Sequence, residues 1–588
     1  SADHLSSGLE RYKDLQKYFS RRLKAAYRRF SNIPDHSMVR PVGFEAFHLD
    51  FECYLSGSSR YNFYITKILL LVCMGEEWAT DDVLFYATLE ELRSSAVFRL
   101  DLTSSGSRIT PVYEETQPDV FVEVALSRDR QILTINCNSR NSSEVLLCDI
   151  TRSHLEPFLV QPRQLDLLYH VEHWRKWLIM LANTGPGQEY QVGLAPLSEP
   201  SMVSWNSLYA PDPGTVIKDM DIVGDHCVLV ATTPVSHALQ LFLFSHLLYI
   251  STLILKLPSW TCALETKKPG LAEKQNVLEF LISSPVHPPV PYCLYPENGH
   301  TETLSGGKED GTLVPVTLFH ELPVESLRQV PLLVHVYGAY GRDLNMDFCP
   351  GKKMLLEQGW ILAYCHIRGG GERGLTWQRQ ARVEGKQRGV EDLQACLHHL
   401  FSSGVSSPSL TALTACSAGA VPVGALCNRQ PHMIRAVTLQ APFLDVLATM
   451  QDPSLPLTLE DRDEWGDPVG NPKHRHIITS YCPFHNITPQ HYPSMLLTAY
   501  SGDARVPLAG IIKYTEQLKK VIHTHLKCEP APNIVLNIQP GANHLGPEDF
   551  EQLLEEVRNP PINVHYCSKV WLHLEMSLFL TEKHFFFN

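Results

Sequence analysis

A serine hydroxyl becomes a useful nucleophile only when an imidazole can take its proton, and the imidazole works best when a carboxylate fixes its tautomer. The chain offers that trio in the order Ser417, Asp503, His544. Ser417 stands in LTALTACSAGA, where strand-forming residues give way to Ala418, Gly419 and Ala420. A strand that turns sharply into a helix at a serine needs such small neighbours, because the turn is strained and other chain segments pass close. The run reads Ala415, Cys416, Ser417, Ala418, Gly419 instead of G-x-S-x-G, so alanine replaces one glycine. Pro422 follows early in the expected helix, where only the first turn accepts it. Asp503 lies just beyond SMLLTAYSG, and His544 just beyond IVLNIQPGAN. Alone, a polar residue at a strand end is usually a turn or cap residue. Three of them, each after a strand and in this order, predict acyl transfer of the α/β-hydrolase kind.

The tetrahedral intermediate of such a reaction needs donors aimed at its oxyanion. The backbone N–H of Ala418, next after the nucleophile, is one candidate. A second should come from the turn after an earlier strand, where VYGAYG offers the hydroxyl of Tyr337, with Tyr340 the weaker candidate and a substrate-binding residue otherwise. Either tyrosine could instead be packed at a glycine turn. Metal catalysis is the rival chemistry, since His474 and His476, and His523 and His525, form two H-x-H pairs. H-x-H without further ligands is a poor metal site, so neither a metal nor a cofactor is expected.

These groups need a sheet that brings strand ends together. From about residue 310 strands and helices alternate: PLLVHVYGAYG, GKKMLLEQG, WILAYCHIRGGG, VEDLQACLHHLFSSG, LTALTACS and GALCNRQ, then the strands AVTLQAPFLDV, SMLLTAYSGD and APNIVLNIQPGANH. That alternation predicts a mostly parallel sheet with crossover helices, whose reactive groups gather at the C-terminal strand ends. Between about residues 50 and 300 the pattern is all β, with VLFYATL, VFRLDL, VFVEVALS, QILTINCN, EVLLCDI, LLYHVEH, KWLIMLAN and CVLVATT separated by polar turns such as SRDRQ and NSRNS. This spacing fits a β-propeller first and a sandwich second, and the span holds only five or six blades of ~40–50 residues. The apolar stretch from Ala238 to Leu255 contains Gln240, Ser245, His246, Ser251 and Thr252, and reads as two buried strands in preference to a membrane span.

At 588 residues the chain exceeds what one core serves, so two large domains are expected. A net charge of −13 argues against a nucleic-acid partner. The basic cluster Arg21, Arg22, Lys24, Arg28 and Arg29 has helical spacing and reads as a solvated helix face. Fifteen scattered cysteines with no C-x-x-C pair fit free thiols in a reducing compartment, with the cytosol expected. The N-terminal stretch lacks a secretory signal, and its Arg-rich character leaves a transit peptide as the alternative.

The joint occurrence and order of VHVYGAYG, ILAYCHIRGGGERG, TACSAGA, RAVTLQAPFLDVL, EWGDP, YCPFHNI, HYPS, GDARVP and QPGANH resemble the prolyl oligopeptidase family, in its prolyl endopeptidase-like branch. The resemblance is strong over about 310–545 and looser over the β-rich half. It implies a helical segment at 1–44 packed on the hydrolase, a propeller at 45–308 and an α/β-hydrolase domain at 309–588, with a substrate cavity between propeller and hydrolase. It implies that Ser417, Asp503 and His544 are the triad, that Tyr337 serves the oxyanion, and that Arg505 holds a substrate carbonyl. Asp461 and Asp463 fall near the acidic pair with which oligopeptidase B is thought to receive a basic side chain, although Arg462 between them equally suits a solvated loop. The branch resembles hydrolases of esters and thioesters, such as S-acylated cysteine, more than efficient peptidases. It also implies association with clathrin-linked adaptor machinery at the trans-Golgi surface. Departures are Ala420 and Pro422 after Gly419, a short propeller, and a tail after 559 unlike the family's closing helix. They leave a non-enzymatic scaffold as the alternative. The oligomeric state stays open, a homodimer included.

Overall fold

The computed structural model describes residues 73–546, apart from 81, 91, 104–105, 153–154, 185–187, 234–238, 246–250, 267–277, 295–313 and 526–531. The expectations for the segment 1–44, its basic cluster and the tail after 559 lie outside the described residues.

The β-rich half forms five small antiparallel sheets, each from consecutive strands. The first holds β1 (Cys73–Thr80), β2 (Val83–Glu90), β3 (Arg93–Thr103) and β4 (Gly106–Glu114). The second holds β5 (Phe121–Leu126), β6 (Ile132–Asn138), β7 (Ser143–Asp149) and β8 (Phe158–Gln161). The third holds β9 (Tyr169–Trp174), β10 (Trp177–Ala182), β11 (Gln191–Pro196) and β12 (Asn206–Tyr209). The fourth holds β13 (Val216–Val223), β14 (His226–Thr232), β15 (Leu239–Ser245) and β16 (Ser251–Lys256), and the fifth β17 (Ala263–Thr266), β18 (Leu278–Ser284) and β19 (His287–Leu294). SRDRQ joins β5 to β6 and NSRNS joins β6 to β7, both as hairpins. The apolar stretch near residue 245 is the antiparallel pair of β15 and β16.

Burial explains why these sheets stack as blades. Central strands such as β10, WLIMLA, and β14, HCVLVAT, are buried on both faces and so carry nearly unbroken apolar runs. The edge strand β5 alternates, with Glu123 exposed between buried Val122 and Val124. Four apolar layers are each shared by two successive sheets: Phe85 and Val97 pack with Val122 and Leu133, Val145 and Leu147 with Tyr169 and Leu178, Ile179 with Leu229, and Val228 with Phe280. A blade cannot bury its faces alone, so the array is held by neighbour contacts.

The second half is a seven-stranded sheet in the order β20-β22-β21-β23-β24-β25-β26. Its strands are β20 (Val316–Phe319), β21 (Leu332–Val336), β22 (Ile361–Cys365), β23 (Thr411–Cys416), β24 (Ala436–Gln440), β25 (Ser494–Tyr500) and β26 (Ile534–Gln539). All neighbours run parallel except the edge pair β20 and β22. The helices are α1 (Pro350–Glu357), α2 (Gly374–Arg379), α3 (Gln387–Ser402), α4 (Ala420–Arg429), α5 (Val446–Gln451), α6 (Thr458–Trp465), α7 (Pro472–Tyr481) and α8 (Leu508–His525). In α3, Val390, Leu393, Cys396, Leu397 and Leu400 recur at helical spacing and enter the main core. The helix stops at Gly404, whose φ of +77° lets the Val405 N–H turn back to the Leu400 carbonyl at 2.9 Å. Among the described residues no helix is long and apolar enough to cross a membrane.

Successive blades reach across to the sheet domain through polar contacts. Glu189, after β10, accepts the N–H groups of Leu375 and Thr376 at 2.8 Å each and so caps α2 from outside its own domain. Lys218 on β13 donates to the Asp343 carboxylate at 2.8 Å and to the Gly371 carbonyl at 2.7 Å. Arg140, in the β6–β7 turn, reaches α6.

Candidate active site

The nucleophile position is set by the end of β23. Cys416 is extended, and Ser417 then adopts φ +49°, a left-handed conformation that a non-glycine residue holds only where the surroundings enforce it. A short 3₁₀ turn over Ser417–Gly419 leads into α4. A Cβ on Gly419 would lie 2.9 Å from the Val336 carbonyl oxygen and 3.0 Å from Tyr337 Cα. The helix therefore packs directly on the end of β21. Pro422 sits in the first turn of α4, where intrahelical N–H donation is not required, and it is buried with the rest of the helix.

Asp503 follows β25 and His544 follows β26, on adjacent loops tied by the Gly502 N–H to the Ala542 carbonyl at 3.1 Å. His544 Nε2 lies 3.0 Å from Ser417 Oγ, and its Nδ1 lies 2.7 Å from Asp503 Oδ2. The other carboxylate oxygen, Oδ1, accepts the N–H groups of Arg505 at 2.8 Å and Val506 at 3.0 Å. Burial works to raise the Asp503 carboxyl, but the hydrogen bond with His544, that residue's charge and the two N–H donors outweigh it, leaving the group below the usual carboxylate range. An ionised Asp503 holds Nδ1 protonated and leaves the Nε2 lone pair facing the serine hydroxyl.

Tyr337 follows β21, and its ring packs against Gly419. Burial pushes its hydroxyl up to about 12, with the charge of Arg342 pulling the other way, so it stays a neutral donor. Its turn is locked to the RGGG loop after β22. A Cβ on Gly369 would lie 2.3 Å from the Gly338 carbonyl oxygen, and one on Gly371 would lie 2.2 Å from that of Gly341. Arg368 anchors that loop through its backbone N–H, 2.9 Å, and its Nε, 2.8 Å, to the buried Asp392 carboxylate on α3.

Tyr340, the other tyrosine of the turn, has its hydroxyl committed elsewhere. It accepts the indole N–H of Trp465 at 2.9 Å, while its backbone, at φ +60°, donates to Glu464 Oε1 at 3.0 Å. Its ring lies 4.2 Å beneath the Arg140 guanidinium. Arg505 is exposed beside the triad, with no ion-pair partner among the described residues. Asp461 and Asp463 are not on a solvated loop: they belong to α6, and Asp461 is buried against Arg140. Among the described residues, His474 Nδ1 accepts the Asp467 N–H at 3.0 Å, and His476 and His523 are exposed. The potential ligand group there is Asp445, Cys482 and His485, which includes none of them.

The residues that sequence reasoning missed are the charged ones behind the tyrosine turn. Glu464, fully buried, pairs with buried Lys386 and lies 3.8 Å from Arg382. Lys386 in turn lies 4.1 Å from the Trp465 ring centroid. The sequence signal was EWGDP, whose Glu464 was read only as part of a motif.

Comparison with known proteins accounts for both halves. Residues 67–306 match "Prolyl oligopeptidase, N-terminal beta-propeller domain", and residues 348–559 match "Prolyl oligopeptidase family". The human protein called prolyl endopeptidase-like is 42% identical over 516 residues, covering 82% of this chain and 69% of that one. Protease 2 of Moraxella lacunata is 25% identical over 523 residues, covering 83% and 73%. The solved structure of oligopeptidase B from Trypanosoma brucei with covalently bound antipain superposes with a TM-score of 0.72 at 26% identity, covering 86% of this chain and 72% of that one. Oligopeptidase B from Leishmania major gives 0.72 at 22% identity, covering 84% and 71%, and shares the fold. The chain belongs to the prolyl oligopeptidase family, with a propeller joined to an α/β-hydrolase domain.

Proposed function

We propose that the chain is a serine hydrolase that acts through an acyl-enzyme, with Ser417 as nucleophile, His544 as general base and acid, and Asp503 as its orienting carboxylate. The observation that carries this reading is the continuous chain of contacts from Asp503 Oδ2 through His544 to Ser417 Oγ, 2.7 and 3.0 Å, on a serine held at φ +49°.

Ser417 Oγ attacks the substrate carbonyl as its proton passes to His544 Nε2. The oxyanion is met by the Ala418 N–H and the Tyr337 hydroxyl. The His544 proton then leaves with the alcohol, thiol or amine, and water repeats the sequence to release the acid. Esters and thioesters, including S-acylated cysteine, are the favoured substrates, with short peptides behind them. Their leaving groups need less help from the acid than an amine does. Arg505, exposed and without an ion-pair partner among the described residues, is the residue proposed to hold a substrate carbonyl. The division into a propeller at 45–308 and a hydrolase at 309–588 belongs to the same reading. A cytosolic location rests on the scattered free cysteines, and the trans-Golgi and adaptor-complex associations on family resemblance.

The test is labelling with a fluorophosphonate, alongside turnover of matched ester, thioester and peptide substrates. Wild-type chain should be labelled and Ser417→Ala should not. Label that survives the substitution removes Ser417 as the nucleophile. An unlabelled but folded wild-type chain favours a scaffold.

A further inference from the structure

Three side chains of different kinds, each able to bind a metal, converge outside the triad. Asp445 stands just before α5, Cys482 just after α7, and His485 in the short turn Phe484–Asn486. His485 Nδ1 lies 3.2 Å from Cys482 Sγ and 4.0 Å from Asp445 Oδ1, and the three ligand atoms all lie within 4.8 Å of one another. A tetrahedral zinc ion, with bonds of ~2.0–2.3 Å, sets its ligands about 3.2–3.7 Å apart, so the triangle closes on such an ion with side-chain shifts of about 1 Å.

The protein alone provides poorly for two of these groups. Asp445 is 5% exposed, yet among the described residues its carboxylate accepts a single hydrogen bond, a long one of 3.4 Å from the Ala448 N–H, and its one ion-pair partner is His485 at 4.0 Å. A buried carboxylate ordinarily has close donors or a cation for its lone pairs. Cys482 is fully buried, and its thiol reaches the Leu444 carbonyl only at 3.7 Å. The His485 side chain, by contrast, is partly open to solvent, which gives an ion a way in and leaves a fourth position for water.

The ligands are held in place before any ion arrives. Pro483 fixes the backbone between Cys482 and His485, and a Cβ on Gly424 would lie 2.8 Å from Pro483 Cβ, so the segment is pressed onto α4. The Phe484 N–H donates to the Leu444 carbonyl at 3.1 Å, which ties the same turn to the residue before Asp445. One residue further back, the Phe443 N–H donates to the Ser417 carbonyl at 3.0 Å.

We propose that Asp445, Cys482 and His485 bind one zinc ion, which clamps the loop after β24 to the end of α7 behind the nucleophile helix. A thiolate, an imidazole and a carboxylate together suit zinc, whereas calcium and magnesium take oxygen ligands. On binding, the Cys482 S–H bond breaks, a sulfur–zinc bond forms and the proton passes to solvent. The site uses no member of the triad and is independent of the hydrolase reading.

The experiment frees the full chain of metal with a chelator and titrates it with Zn²⁺ by calorimetry and with Co²⁺ by absorption, on wild type, Cys482→Ala, His485→Gln, His476→Gln and Ser417→Ala. Wild type, His476→Gln and Ser417→Ala should each take up one equivalent, with a thiolate-to-cobalt band. Cys482→Ala should lose that band. His485→Gln, at the partly open edge of the site where folding is spared, should bind about a hundredfold more weakly. Zinc should raise the unfolding temperature of wild type and not that of His485→Gln. No uptake by folded wild type, equal uptake by His485→Gln, or uptake lost instead with His476→Gln overturns the proposal. Zinc uptake that follows Cys482 and His485 in a chain that fluorophosphonate never labels supports the site even as the hydrolase reading fails.

Discussion

Asp503→Asn isolates one step of the mechanism, because the structure dictates how the new amide must sit. Oδ1 of Asp503 accepts two backbone N–H groups at 2.8 and 3.0 Å. An asparagine has to keep its carbonyl oxygen there, since turning its NH₂ toward two N–H donors would leave both unsatisfied at ~1–3 kcal/mol each. The NH₂ then faces His544 Nδ1 across the 2.7 Å gap now spanned by Oδ2. Nδ1 must become the acceptor, the proton moves to Nε2, and Nε2 points an N–H at Ser417 Oγ in place of a lone pair. The base is present in the wrong tautomer. By analogy with other triads the loss is ~10⁴ in kcat, or ~5 kcal/mol of transition-state stabilisation. It is read from the rate of fluorophosphonate labelling and from p-nitrophenyl ester turnover, with thermal unfolding as a control for folding. A kcat within tenfold of wild type in a folded Asp503→Asn chain refutes the reasoning: another group would then be orienting the histidine.

Tyr337→Phe should lower kcat by ~10²–10³ while KM changes little, because the lost hydroxyl meets charge that develops only after binding. Steady-state kinetics on an ester reads this, and an unchanged kcat removes Tyr337 from the oxyanion. Glu464→Gln keeps an acceptor for the Tyr340 N–H but strands the buried Lys386 ammonium, so the hydrolase unfolding transition should lose ~3–5 kcal/mol. Adding Lys386→Met should restore most of it, and a loss below ~1 kcal/mol in the single variant shows that the pair is not what holds this region.

What the sequence shows is governed by what can be periodic. The convergence of Ser417, Asp503 and His544 was legible because each closes an apolar run, and strand ends in a parallel sheet must converge. The blades were legible because β10 and β14 are buried on both faces, which demands unbroken apolar residues between turns. The Arg140 contact was not, since it joins residues 321 apart with no repeat to announce it. TLEDRDEW in α6 misleads for a related reason: charge reads as solvation, yet Asp461 and Glu464 are buried with charged partners from Arg140 and Lys386. Tyr337 and Tyr340 look alike in VYGAYG, and contacts from distant residues, the Trp465 indole, Glu464 and Arg140, set Tyr340 apart.

The interlock of Gly369 and Gly371 with the backbone of Gly338 and Gly341 makes part of this enzyme's vulnerability invisible to chemistry-based reasoning. Neither glycine carries a group that could act on a substrate, yet a single added methyl on either must push the neighbouring strand-loop out of register. Inherited or laboratory lesions at these two positions would therefore disable turnover while sparing every residue that a survey of reactive groups would inspect.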